Sequence, residues 1–179
     1  MHIGSRQRGV SLIEVMVAVL IFSIGMIGLA GLLMMATRSN HAAYLRTQVV
    51  FLASSMMDRM RANPVGVWNG DYNRSDYPAA ASITAISACD NQACTPVQLA
   101  TRDQNLWSSQ LTTFLPDPQA SIVCTSTGSP GFDPSAPVNL RPPYGGDCTM
   151  IIQWAERGAG DTKGHSALAP QRFVWRFQP

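Results

Sequence analysis

Charge is scarce in this chain, and it is missing altogether from one long stretch. Of the 179 residues only 13% are Asp, Glu, Lys or Arg, about half the typical share of roughly 25%. There is one lysine, Lys163, and there are two glutamates, Glu14 and Glu156. Glu14 is the only acid before Asp58, and no charged residue lies between Glu14 and Arg38. Thirteen basic against eleven acidic residues leave a net of +2, too weak a field to argue for nucleic acid as a partner. Histidine is equally sparse, with His2, His41 and His165 alone. No Gly-x-Ser-x-Gly elbow and no phosphate-binding loop occurs, and the acids are scattered singly. These gaps argue against an enzyme and call for no cofactor. His165 stands near Asp161 and Ser166 in a Gly/Ala/Ser stretch and reads as a solvated loop residue rather than a catalyst. There is no Gly-X-Y period, no long heptad run and no second long apolar stretch, which excludes collagen, a coiled-coil array and a multi-span transporter. Cysteine is absent before Cys89.

What the charge-free stretch contains is apolar. Val15 to Ala36 is a run of 22 residues, and crossing a bilayer core takes about 20. A buried core helix is the alternative, but it rarely needs such length without a polar face. Arg6 and Arg8 make the arm ahead of the run basic, so positive-inside bias leaves the first residues in the cytoplasm and sends the rest outward. The run is too long for an ordinary secretory signal, and no A-x-A site closes it. Glu14 stands at the entrance of the span. A carboxylate there is costly in lipid unless it is paired or reaches the interface, which makes it a candidate functional residue. Gly25, Gly28 and Gly31 recur inside the run, at a spacing that lets helices approach closely.

Helical character continues past Arg38. Leu45, Val49, Leu52, Met56 and Met60 fall three or four apart, on one helical face. Pro64 ends the pattern. A continuous helix from Val10 to Asn63 would hold 54 residues and extend roughly 80 Å. Beyond it, Val65 to Cys94 is rich in Gly, Ala, Ser, Asn and Asp and reads as loop. Thr95 then fits an N-cap, Pro96 a first helical position and Gln98 the second half of a capping box. Leu99, Asp103, Trp107, Leu111 and Phe114/Leu115 follow at helical spacing, predicting a short amphipathic helix from Pro96 to Leu115 with Trp107 as a packing residue. Three β-like runs complete the chain. They are Ala120–Thr125, Cys148–Ala155 and Arg172–Gln178, the last two alternating apolar and polar positions. Ser126–Asp147, with five prolines, reads as an irregular surface loop.

The four cysteines, Cys89, Cys94, Cys124 and Cys148, all lie past the apolar run. An even number confined to an exported region reads as two disulfides in an oxidising compartment. Three pairings are possible. The favoured one joins Cys89 to Cys94, a small loop before the helix, and Cys124 to Cys148, two strands across the long loop. A zinc site would need paired short spacings, which Cys124 and Cys148 do not supply.

The string Arg8-Gly9-Val10-Ser11-Leu12-Ile13-Glu14 resembles the class III signal of type IV prepilins and pseudopilins. In that family a short basic leader ends in Gly, an apolar residue follows the cut, and Glu is the fifth residue after it. Val10 stands where the family usually has Phe or Met. Asp58-Arg59-Met60-Arg61-Ala62-Asn63-Pro64, with Gly66, Tyr72-Asn73 and Cys94-Thr95-Pro96, resembles the minor-pilin subgroup of type IV pilus modification proteins, PilV.

The resemblance implies an α+β, type IV pilin-like fold. A long N-terminal helix, membrane-spanning in its first half, packs on a small antiparallel sheet, with an extra short helix and irregular loops. Expected segments are a cytoplasmic leader at 1–9, a transmembrane half-helix at 10–36, an amphipathic half-helix at 37–63 and a periplasmic domain at 64–179. Cleavage between Gly9 and Val10 by a prepilin peptidase, N-methylation of Val10 and an assembly role for Glu14 are also implied. The expected partners are that peptidase, other minor pilins, the major pilin and an inner-membrane assembly platform. The implied location is the inner membrane and then the pilus fibre or tip, with roles in pilus assembly and twitching motility. The leading expectation is a minor pilin that primes assembly. A type II secretion pseudopilin and a plain membrane-anchored periplasmic binding module are the alternatives.

Overall fold

The computed structural model describes residues 9–78, 89, 92–125, 145–156 and 169–179. The first helix, α1, spans Leu12–Ala62, 51 residues, slightly shorter at each end than the periodicity suggests. Its C-terminal limit is set by Pro64. The proline ring disfavours the α region at Asn63, which adopts φ −128° and ψ 65°. Pro64 does not end helical structure, however. It opens a second helix, α2, Pro64–Trp68, at the position where its missing N–H is no loss, and the Asn63 side chain caps it by accepting from the Gly66 amide at 3.2 Å.

The chain divides into two compact units, Met1–His41 and Ala42–Pro179. In the first, every Val, Leu, Ile, Met and Phe from Val10 to Met35 is more than half exposed. This part of α1 carries no core of its own.

Among the described residues the second unit contains the rest of α1, α2 and five further elements in chain order. They are β1 (Arg74–Tyr77), a third helix α3 (Pro96–Phe114), β2 (Gln119–Thr125), β3 (Asp147–Glu156) and β4 (Ala169–Phe177). The strands form an antiparallel sheet in sequential order, β1-β2-β3-β4. The predicted helix near 96 is present with both halves of its capping box, Thr95 and Gln98 bonding each other's backbone N–H. It stops at Phe114 because Pro116 forces Leu115 into an extended conformation.

One expectation needs correcting. The stretch read as loop from Val65 contains α2 and β1. β1 is too short, and too polar in Arg74-Ser75-Asp76, to show a strand pattern in sequence. The stripe predicted on α3 is buried at Asp103, Trp107, Leu111 and Leu115. Phe114 is exposed and Leu99 half-buried, whereas Gln104 and Ser108 are buried with Asp103. Most of the loop from Ser126 to Asp147 lies outside the described residues, and Asp147 itself begins β3.

One core holds this unit. Leu45, Val49, Leu52, Ala53, Met56 and Met60 of α1 meet Trp107 and Leu111 of α3 and the inner face of the sheet. That face is Ala120 and Ile122 on β2, then Cys148, Met150, Ile152 and Trp154 on β3. Phe173, Trp175 and Phe177 of β4 complete it. Met150 stands between Ile122 and Trp175, and Ile152 between Ala120 and Phe173. Burying each large apolar side chain contributes about 1.5–3 kcal/mol. Trp107 is the pivot. It is fully buried, donates from Nε1 to the Leu52 carbonyl at 2.9 Å, and meets the Tyr77 ring edge-on at 4.9 Å.

Candidate functional site

The start of α1 is the first place where the chain's chemistry concentrates. Gly9, Val10 and Ser11 precede the helix, and Glu14 is the third helical residue. The Ser11 carbonyl accepts from the Glu14 amide at 3.0 Å and from the Val15 amide at 3.3 Å. Ser11 and Glu14 have the spacing of a capping box, a local signal in the sequence that points to a helix start here. Glu14 forms no ion pair with any described residue. Behind it the surface is apolar for more than six turns, with Phe22 68% and Ile27 74% exposed. By length and composition the helix suffices to cross a membrane. Its few polar side chains there are satisfied locally, Ser23 Oγ donating to the Val19 carbonyl at 2.7 Å and Thr37 Oγ1 to the Met34 carbonyl at 2.9 Å, as a polar group in lipid requires. A Cβ at Gly25, Gly28 or Gly31 would meet nothing within 4 Å. Among the described residues nothing therefore demands glycine at the three positions.

The second concentration is a buried polar cluster where α1, α2 and α3 approach. Arg59 Nη1 meets Asp103 Oδ1 at 3.1 Å. The Tyr72 hydroxyl donates to Asp103 Oδ2 at 2.8 Å and accepts from Asn63 Nδ2 at 3.2 Å. Asn63 Nδ2 also donates to the Pro96 carbonyl at 2.8 Å, so one amide ties the end of α1 to the start of α3. Gln104 Nε2 donates to the Asp71 carbonyl at 2.5 Å. Burial pushes the Tyr72 hydroxyl far above its ordinary range, and the Asp103 charge adds to this, while the Asn63 hydrogen bond works the other way. Tyr72 is thus held neutral as a donor. Tyr77, pushed up mainly by burial, donates to the Tyr72 carbonyl at 3.3 Å. This cluster orders backbone; its donors and acceptors are mostly spent on one another. Arg59 Nε and Asp71 Oδ2 are exceptions, buried without a hydrogen-bond partner among the described residues.

Residues 4–30 match the family profile of the prokaryotic N-terminal methylation motif, and residues 31–105 match that of the type IV pilin Tt1218. The chain carries a type IV pilin domain. No curated protein and no solved structure matches it. The two matched segments abut, and together they run from the basic arm through α1 and α2 into α3. The pilin fold is present as well: a long N-terminal helix and a four-stranded antiparallel sheet, with a shorter helix beside them.

The other candidate residues sort by position. Cys124 and Cys148 face each other directly in the β2–β3 register and are bonded, with Cα atoms 4.0 Å apart. Cys89 is bonded to Cys94, just ahead of the α3 cap. Of the three pairings the four cysteines allow, this is the one in the structure. His41 is exposed on α1. His2 in the leader and the His165, Asp161 and Ser166 group lie outside the described residues. Among the described residues no three of His, Cys, Asp and Glu converge as metal ligands would. Sequence reasoning missed the polar cluster. Its members Arg59, Asn63 and Tyr72 lie in the segments that carry the minor-pilin likeness, but Asp103 was placed only on an apolar stripe.

Proposed function

We propose that the chain is a minor pilin of the PilV kind, which supports or primes assembly of a type IV pilus. A prepilin peptidase cuts it between Gly9 and Val10, and the new N-terminus at Val10 is methylated. Residues 10–36 then hold it in the inner membrane, 37–63 form the amphipathic half of the helix, and 64–179 lie in the periplasm. From there it packs through α1 among other minor pilins and the major pilin at the assembly platform, and passes into the fibre or its tip. The observation that carries this reading is the bare apolar half of α1 directly behind a methylation motif. Eighteen large apolar side chains without a covering core are stable only in lipid or against other helices. The three glycines on that half, which no contact among the described residues demands, suit helices that pack closely on one another.

Glu14 supports the same reading. Cleavage exposes an α-amine on Val10 whose reference pKa is about 8, so it is cationic at neutral pH. A carboxylate with no ion-pair partner among the described residues can pair with the N-terminus of a neighbouring helix and so set the register between subunits.

The test is the mass and N-terminal sequence of the protein extracted from membranes. The expected species begins with N-methylated Val10. A chain still starting at Met1 would leave only a membrane-anchored module. Deletion in the host separates the remaining readings. Loss of surface pili with secretion intact supports the minor pilin, whereas lost secretion with intact pili identifies a type II secretion pseudopilin.

A further inference from the structure

The sheet ends on β4, and this edge differs from the other. β1, at the opposite edge, is four residues long, and its register with β2 is irregular. β4 has nine residues, all in unbroken register with β3 from Cys148 opposite Phe177 to Glu156 opposite Ala169. No described strand pairs with its far side. A long, regular edge presents a row of free backbone donors and acceptors, which is a template for another strand.

The side chains on its outer face give the chemistry of the occupant. Arg172, Val174 and Arg176 are exposed, whereas Phe173, Trp175 and Phe177 turn toward the core. Arg59, Arg61 and Arg74 each have a carboxylate partner, namely Asp103, Asp58 and Asp76. Arg172 and Arg176 have none among the described residues. Their cross-strand neighbours on β3 are Gln153 and Thr149, both neutral, with Ile151 opposite Val174. The face is therefore a cation, an apolar residue and a second cation, the cations about 13 Å apart at roughly 3.3 Å per residue.

We propose that β4 takes an extended acidic segment of a partner protein as a fifth strand of the sheet. The segment carries acids at positions i and i+4 and a β-branched residue at i+2, so that each acid lies opposite an arginine and the branched residue opposite Val174. Directly opposed side chains of opposite charge stabilise a strand pair, and like charges destabilise it. The backbone ladder supplies affinity and the alternate side chains supply selectivity. The inference stands apart from the minor-pilin reading, since it needs only the sheet of the second unit.

The experiment uses the full chain in detergent micelles and labelled synthetic peptides of about nine residues, otherwise Thr and Ser, with Glu at i and i+4 and Val at i+2. The Glu peptide is expected to bind saturably. A Lys counterpart is expected to bind at least about tenfold more weakly, as is a Glu peptide N-methylated along one edge. The double variant Arg172→Glu/Arg176→Glu, checked by circular dichroism for an unchanged fold, should reverse the preference and take the Lys peptide. No binding of the Glu peptide overturns the proposal. Equal binding of the N-methylated form also overturns strand addition and leaves a simple ionic patch.

Discussion

Tyr72 shows how much a single side chain settles in this fold. Its ring is fully buried, and its hydroxyl is the one group that touches both Asn63 and Asp103. Tyr72→Phe keeps the ring and removes the link, leaving Asp103 Oδ2 without the donor that Tyr72 supplied. We expect a loss of about 1–3 kcal/mol, the cost of an unsatisfied buried acceptor, read as a lower denaturant midpoint of the full chain in detergent. An unchanged midpoint would mean that water replaces the hydroxyl. The same hydroxyl gives a pH signature. Tyr72 and Tyr77 are both pushed up by burial from an ordinary value of 10.0. Above that pH the unfolded chain ionises these groups, and the folded chain does not. Their contribution is therefore complete below pH about 10 and is lost as the pH rises beyond it. Midpoints should be level between about pH 7 and 9 and fall above 10. Tyr72→Phe/Tyr77→Phe should flatten most of that fall, and an equally steep fall in the double variant would assign it to other groups.

At the scale of elements, what was legible depended on whether the signal was local. The α3 start was readable because Thr95, Pro96 and Gln98 cap within three residues of one another. β3 and β4 were readable because inner and outer residues alternate cleanly, as in Met150, Ile152 and Trp154, or Phe173, Trp175 and Phe177. The restart at Pro64 was not, because the same proline both ends α1 and opens α2, and only the Asn63 cap decides between stop and restart. The partners that Asp103 meets on the buried face of α3 were not legible, for a related reason. Asp103 is buried because Arg59, 44 residues earlier, and Tyr72, 31 residues earlier, satisfy it, and no periodicity reports such partners. The β2–β3 pair carries its own prediction. Cys124 and Cys148 sit opposite each other at a sequence separation of 24, and closing a loop of this size stabilises by about 2–4 kcal/mol. Cys124→Ala/Cys148→Ala should lower the melting temperature of the full chain accordingly. Free-thiol titration of periplasmically produced wild type should find neither residue reactive; reactive thiols there would remove the bridge from the account.

For the whole molecule, α1 divides its length between two environments. Its residues up to Met35 expose their apolar side chains, whereas Leu45, Val49, Leu52, Ala53, Met56 and Met60 bury theirs in the second unit's core. Insertion and assembly should therefore be separable. Glu14→Val keeps the apolar run and the helix start, so the protein should remain in membranes and still be cut. If Glu14 sets the register as proposed, co-purification with sibling pilins and recovery in sheared fibres should fall severalfold. Undiminished incorporation would leave Glu14 with no role beyond favouring the helix N-terminus.

The sequence alone determined the anchor, the amphipathic stripe, the capped helix and two of the strands. Each rests on residues within a turn or two of one another, where periodicity and capping act through the local backbone. The membrane-competent run is the extreme case, because hydrocarbon asks nothing of it but length and the absence of charge. Tertiary structure decided the rest. It brought Arg59, Asn63, Tyr72 and Asp103 together, made β1 a strand by giving it β2 to pair with, and left β4 with no described strand on its far side and Arg172 and Arg176 with no carboxylate partner among the described residues. Those outcomes depend on contacts between residues tens of positions apart. Polar burial and strand pairing are settled by which partner arrives in space, and a linear pattern does not contain that partner.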